Sequence, residues 1–100
     1  MLYGHQLISI ADAVIALGLT HSHQSFSVNF CARDRSYLRD LRRRSGATAR
    51  VSPHTVLTVR SRLAEAAALR SDLRPEIEKI DVAIIRDVHV ASLLGRRSYR

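Results

Sequence analysis

The stretch 22–44, SHQSFSVNFCARDRSYLRDLRRR, decides the fold, because its spacing predicts two short helices joined by a tight turn. Two phenylalanines four residues apart indicate a first helix over about 23–31, after hydroxyl side chains that suit a helix start. Asp34 is a favourable N-cap for a second helix over about 34–44. A helix pair of this kind, with the second helix basic on its exposed face, is typical of a helix-turn-helix.

The positive charge of the chain is concentrated in one window. The formal net charge is +7, and residues 33–62 hold nine arginines against two acids, whereas the segments on either side are close to neutral. Arginine binds phosphates through paired hydrogen bonds and reads guanine edges, so this cluster favours a nucleic-acid-binding module. The alternative is a solvated helix face in an arginine-rich proteome.

The helix-turn-helix interpretation gives the polar side chains separate roles. The first turns of the second helix come nearest to the base edges, so the predicted base contacts are Arg35, Ser36 and Arg39. Arginines before and after these positions are expected to bind phosphates and set the register on DNA. Polar groups at the start of the preceding helix can bind a further phosphate. The predicted phosphate contacts are Ser22, His23, Gln24, Arg33, Arg42, Arg43, Arg44 and Arg50.

The rest of the chain predicts further helices, and therefore an all-α fold, a compact bundle of about five helices with a long C-terminal helix. Apolar residues at helical steps, followed by Gly18, predict a helix over about 6–17. The pair Ser52-Pro53 predicts the start of another helix over about 53–70. Its buried positions are predicted to be Val56, Leu57, Val59, Leu63 and Ala67.

The last segment carries a heptad-type seam of apolar residues behind Pro75. We expect a helix over about 75–94, closed by Gly95 and followed by a basic tail over 95–100; β-branched residues leave a terminal strand as the alternative. The seam exceeds what a core of this size needs, so we expect a homodimer whose recognition helices lie about 34 Å apart on an inverted repeat. The alternative is that this segment folds back on the first helix. The expected dimerisation residues are Ile77, Ile80, Ile84, Val88 and Ala91.

Composition limits the classes of protein to which this chain can belong. A chain of 100 residues with 46% hydrophobic content supports a single domain, 1–100, with a helix-turn-helix core over about 22–63. The lone Cys31 excludes an intrachain disulfide and a multi-cysteine metal cluster, and it fits a reducing compartment. The apolar run 7–17 is too short to span a bilayer, and no signal-peptide pattern is present, so we expect a cytoplasmic protein without membrane contact. Catalytic and phosphate-loop motifs are absent, so no enzyme, cofactor or metal site is expected.

A set of aromatic, aliphatic, hydroxyl and arginine positions runs through the predicted core: Phe26, Ser27, Phe30, Arg33, Ser36, Tyr37, Leu38, Leu41, Ser52, Pro53, Leu57 and Leu63. With these positions the stretch 22–63 resembles small uncharacterised helix-turn-helix proteins common in alphaproteobacteria. The resemblance implies a compact helical DNA-binding fold, a following helix introduced by a serine-proline pair, and a role in transcriptional control. Such proteins often have glycine in the turn, where this chain has Cys31 or Ala32.

The sequence therefore predicts a DNA-binding transcriptional regulator, with the helix over about 34–44 in the major groove of double-stranded DNA. One alternative is a protein-interaction module, such as an adaptor or antitoxin, whose last helix docks on an acidic protein partner. The other is an RNA-binding protein, because arginine-rich helices also enter structured RNA.

Overall fold

A computed structural model describes residues 2–43 and 49–97, with the backbone alone over 90–97. This part of the chain forms five helices and a minimal two-stranded sheet, which confirms the predicted small all-α bundle. None of the helices in these ranges is long and apolar enough to cross a membrane. In chain order the elements are β1 (Leu2–Tyr3), α1 (Gly4–Ala16), α2 (His23–Asn29), α3 (Tyr37–Arg43), β2 (Arg50–Val51), α4 (Pro53–Leu69) and α5 (Arg74–Arg97).

Serine caps fix the starts of α2 and α4. The Ser22 hydroxyl accepts a hydrogen bond from the Ser25 amide at 3.2 Å, and the Ser52 hydroxyl accepts one from the Thr55 amide at the same distance. Pro53 occupies the first turn of α4, where a missing amide hydrogen costs nothing. Both predicted helix starts are confirmed.

The end of α1 is a Schellman motif built on Gly18. The Gly18 amide donates to the Ile15 carbonyl at 2.9 Å, and the Leu19 amide donates to the Val14 carbonyl at 3.2 Å. Gly18 has φ +80°, the left-handed conformation that this motif requires. The predicted stop is confirmed, whereas the helix begins at Gly4, earlier than the apolar spacing predicts.

The small sheet is an element that the sequence pattern does not predict. β1 pairs antiparallel with β2, with Leu2 opposite Val51, and the Gly4 amide donates to the Ala49 carbonyl at 2.6 Å. Each strand has two residues, too few for a recognisable alternation of apolar and polar positions. The pair nevertheless buries Leu2 and Val51 almost completely, and it ties the start of the chain to the start of α4.

Helix α1 lies at the centre of the fold. It packs against α2 and α3 on one side and against α5 and the sheet on another, while α4 packs mainly on α5. Every described element contributes to one continuous apolar core. The most completely buried aliphatic and aromatic side chains are Leu2, Leu7, Val14, Phe26, Leu38, Val51, Val59, Leu63, Ile77 and Ile84.

The predicted C-terminal helix is confirmed, and the alternative of a terminal strand is excluded, because residues 74–97 are one helix. Two other predictions about the second half of the chain are wrong. That helix continues through Gly95 to Arg97, so the expected stop is absent; residues 98–100 of the expected tail lie outside the described residues. Leu57 of α4 is predicted to be buried, but 62% of its surface is exposed because its side chain lies outside the core.

Candidate nucleic-acid interface

Helix α3 has one apolar face and one arginine face. Leu38 is buried in the core, and Leu41 packs against it one turn later. At 100° per residue, Arg39 and Arg43 lie opposite these leucines, and Arg42 lies on the flank. All three arginines are exposed. The inner face therefore anchors the helix, while the outer face presents guanidinium groups to solvent.

A buried serine in α2 holds the start of α3. Ser27 is completely buried, and its hydroxyl donates to the His23 carbonyl at 2.8 Å and accepts from the Leu38 amide at 3.3 Å. The Leu38 amide belongs to the first turn of α3, where amides have no partner within the helix. Ser27 thus fixes the position of α3 on α2, a role that sequence reasoning missed. The available signal was a serine inside an otherwise aromatic pattern.

The turn between α2 and α3 is longer than predicted. α2 ends at Asn29 instead of Cys31, and α3 begins at Tyr37 instead of directly after Asp34. Ala32, one of the two positions where glycine is expected, has φ +53°. The Arg33 amide donates to the Ser27 carbonyl at 2.9 Å, which closes the turn. The helix pair is present, but its connection spans residues 30–36.

Two of the predicted base contacts lie in this turn. Arg35 donates to the Gln24 side-chain oxygen at 3.1 Å, which joins the turn to the first turn of α2. The Ser36 hydroxyl lies 3.1 Å from one carboxylate oxygen each of Asp34 and Asp40, and its single proton is donated to one or the other. Arg35 lies just before α3 with its side chain oriented by Gln24, and Ser36 is engaged within the turn.

Arg33 braces the turn against the start of α4. Its guanidinium lies 3.2 Å from the Thr55 hydroxyl and 3.4 Å from the Ser52 hydroxyl, and it stacks over the Tyr37 ring at 5.2 Å. Burial raises the pKa of Tyr37, and the nearby Cys31 adds to this shift. Arg33 is exposed on its outer side, but most of its directed contacts hold the fold together.

All three predicted phosphate contacts at the start of α2 are engaged within the chain. The Ser22 hydroxyl caps the helix, as described above. His23 Nε2 lies 2.7 Å from a carboxylate oxygen of Asp12 on α1, which puts a negative charge next to the expected phosphate position. Gln24 is exposed and orients Arg35. Of the three, Gln24 is the one that the fold brings to the arginine face.

The arginines of α3 differ from those of α4 in their ion pairing. Arg60 binds Asp81 at 2.9 Å, and Arg62 binds Glu65 at 3.1 Å. Within residues 2–43 and 49–89, by contrast, four of the predicted contact arginines form neither an ion pair nor a side-chain hydrogen bond: Arg39, Arg42, Arg43 and Arg50. The positive charge of α3 is therefore available to an anionic partner. Arg50 lies on β2, away from α3, and Arg44 lies outside the described residues.

One family pattern matches residues 7–94, from α1 into α5. The chain belongs to the family of unknown function DUF6626. No curated protein and no solved structure has a significant match to it. The part of this DUF6626 protein that matches contains all of α2, α3 and α4, so the arginine face and the residues that brace it lie within the matched range.

Most of the expected dimerisation residues are buried or partly buried in the core of this DUF6626 protein. Ile77 and Ile84 are 2% and 1% exposed, and both belong to its own core. Ile80 and Val88 are partly buried and pack against the same core, while the side chain of Ala91 is outside the described residues. The seam folds back on α4, α1 and β1, because these elements bury its apolar face. As a correction, the seam is not a free face for a second copy.

The single cysteine of the DUF6626 chain is a buried core residue. Burial raises the pKa of Cys31 to about 12, and the positive charge of Arg33 offsets part of this shift. A thiol of this kind is protonated at neutral pH and is a poor nucleophile or metal ligand. Among the described residues, no three His, Cys, Asp or Glu side chains come together as metal ligands.

Proposed function

We propose that this protein binds double-stranded DNA as a transcriptional regulator, with α3 and the turn before it in the major groove. The observation that supports this proposal is the arginine face of α3: Arg39, Arg42 and Arg43 are exposed and without ion pairs, on a helix whose other face is anchored. An anchored basic helix is the arrangement by which helix-turn-helix proteins read DNA.

The size of α3 fits a short recognition element. Seven residues at 1.5 Å each give a helix about 10 Å long, which matches about three base pairs at 3.4 Å per step. Arg39, in the first turn of the helix and on the side away from the two leucines, is the residue assigned to base recognition. Arg42 and Arg43 extend toward the flanking phosphates and supply affinity that does not depend on sequence.

Arg35 is the second residue assigned to base recognition. Its hydrogen bond to Gln24 limits the rotamers of a long side chain, so less conformational entropy is lost when it binds. While the Ser36 hydroxyl donates its proton to Asp34 or Asp40, it can only accept a hydrogen bond from a base. Its assignment as a base contact therefore requires the hydroxyl to rotate on binding.

Fluorescence anisotropy with matched variants tests the proposal. A preferred duplex is first selected from a random pool, and its affinity is compared with that of a scrambled duplex. We expect Arg39→Ala to weaken binding to the preferred duplex by about 1–3 kcal/mol and to relax selectivity. Arg74→Ala is the control, because Arg74 is an exposed cation on α5 and its removal changes the net charge equally.

Equal losses for both variants on both duplexes would mean that α3 contributes charge and not recognition. Tighter binding to a folded RNA hairpin than to any duplex would support the RNA-binding alternative. Indifference to both nucleic acids, together with binding to an acidic protein, would support the protein-interaction alternative.

A further inference from the structure

An apolar surface remains uncovered on the side of the fold formed by α4 and α5. Leu57 and Val82 are each 62% exposed, and Ile85 is 46% exposed. A groove of about 600 Å³ runs between the two helices and the sheet, and it is lined mainly by apolar side chains that include Pro53, Val56, Leu57, Ile85 and Val88. A cluster of exposed aliphatic side chains beside an apolar groove is typical of an interaction surface.

We propose that a second copy of this chain covers the surface, with the two α5 helices antiparallel and crossing at Val82. Glu78, Val82 and Arg86 are spaced by four residues and lie on one face of α5. Glu78 is one turn before Val82, and Arg86 is one turn after it. In an antiparallel pair centred on Val82, Glu78 of each copy therefore faces Arg86 of the other copy. The dimer then contains two pairs of opposite charges.

Both charged side chains are available for this pairing. Glu78 is exposed and forms no ion pair with any described residue. The side chain of Arg86 is 70% exposed, and among the described residues its one approach to an acid, Asp87, is a long 3.8 Å. Ile85 lies three residues after Val82, on the same side of α5, and so borders the contact.

The charge distribution favours self-association on this side. Residues 63–100 carry seven bases and six acids, whereas the excess positive charge lies within 33–62. Helix α5 has three bases and four acids over 74–89, so two copies that meet through α5 bring together helices of little net charge. Because α1 separates α3 from α5, the arginine face of α3 stays uncovered in the dimer.

Sedimentation velocity without DNA tests the dimer over roughly 1 to 100 μM protein. We expect a concentration-dependent dimer, and we expect Val82→Glu or Ile85→Glu to weaken it by about tenfold or more, because each puts carboxylates into an apolar contact. Leu69→Glu is the control: Leu69 is 83% exposed at the end of α4 and lies outside the groove, so this variant is expected to dimerise normally.

Charge exchange tests the antiparallel register. Glu78→Arg and Arg86→Glu each turn two attractive pairs into repulsive ones and are expected to weaken the dimer by about tenfold, whereas the double variant restores it. Both positions are exposed, so these variants keep the test valid even if an apolar substitution impairs folding. A monomer throughout, or a double variant no better than the single ones, would overturn the proposal. Since no DNA is present, this outcome is independent of the proposed DNA binding.

Discussion

Replacing Ala32 with glycine is expected to stabilise this protein by about 0.5–1 kcal/mol. Ala32 has φ +53° in the turn between α2 and α3. The left-handed conformation costs a residue with a Cβ about 1–2 kcal/mol, a cost that glycine avoids. Glycine, however, costs about 0.4–1 kcal/mol more conformational entropy on folding than alanine, because it gives the unfolded chain greater freedom. The difference corresponds to a rise of about 2–8 °C in Tm for a chain of this size.

Two further substitutions make this prediction specific. Gly18→Ala is the reverse change at φ +80°, and since its Cβ would meet nothing within 4 Å, its expected cost of about 0.5–1 kcal/mol comes from the backbone alone. Ala68→Gly, at an exposed position in α4, is expected to cost about 1 kcal/mol. Thermal unfolding followed by circular dichroism measures all three. If Ala32→Gly lowers Tm as Ala68→Gly does, residue 32 is not left-handed and the described connection between the two helices is incorrect.

Buried polar groups and the cysteine give three more predictions. Ser27→Ala should lower the free energy of unfolding by about 1–3 kcal/mol in urea titration, because the Leu38 amide loses its acceptor. Thr20→Val should leave that free energy unchanged or raise it, because the buried Thr20 hydroxyl has no partner among the described residues; a loss as large as that of Ser27→Ala would show an undetected partner. Because burial raises the pKa of Cys31 from 9.0 to about 12, the thiol ionises at a lower pH in the unfolded chain than in the folded one. The free energy of unfolding should therefore be unaffected by this group below pH 9 and should fall as the pH rises from 9 to about 12. Cys31→Ala should reduce this fall, and an unchanged pH profile would show that the thiol is not buried.

Local signals in the sequence predict the helix starts and stops that depend on a single residue. The starts of α2 and α4 follow from serine side chains that accept hydrogen bonds from amides three residues later, and the end of α1 follows from Gly18. Each signal acts within a few residues of the chain. The sequence alone is therefore sufficient to place these boundaries.

The start of α3 is predicted less well because two local interactions compete there. Asp34 is a favourable N-cap, but its carboxylate oxygen accepts from the Ser36 hydroxyl and its carbonyl accepts from the Tyr37 amide at 3.0 Å. These bonds make a separate turn, so the helix starts only at Tyr37. The residue preferences of an N-cap and of a turn overlap, and sequence does not separate them.

The interactions that define the candidate site join residues far apart in the chain. Arg33 contacts Thr55 across 22 positions, and Arg35 binds Gln24 across 11. Spacing also indicates that Ile77 and Ile84 share one face of a helix, but it does not reveal which surface covers that face. For this reason the sequence predicts a dimer through the apolar seam of α5, whereas the chain itself covers that seam.

The most direct test of the account is an amide NMR titration of the full chain with a selected duplex. The account predicts that the largest shift changes fall on Gln24, residues 35–43 and the turn between α2 and α3. It also predicts that α5 residues around Val82 change little, because they lie on the other side of α1. No change with any duplex, or changes confined to the α4–α5 groove, would contradict the assignment of DNA binding to α3.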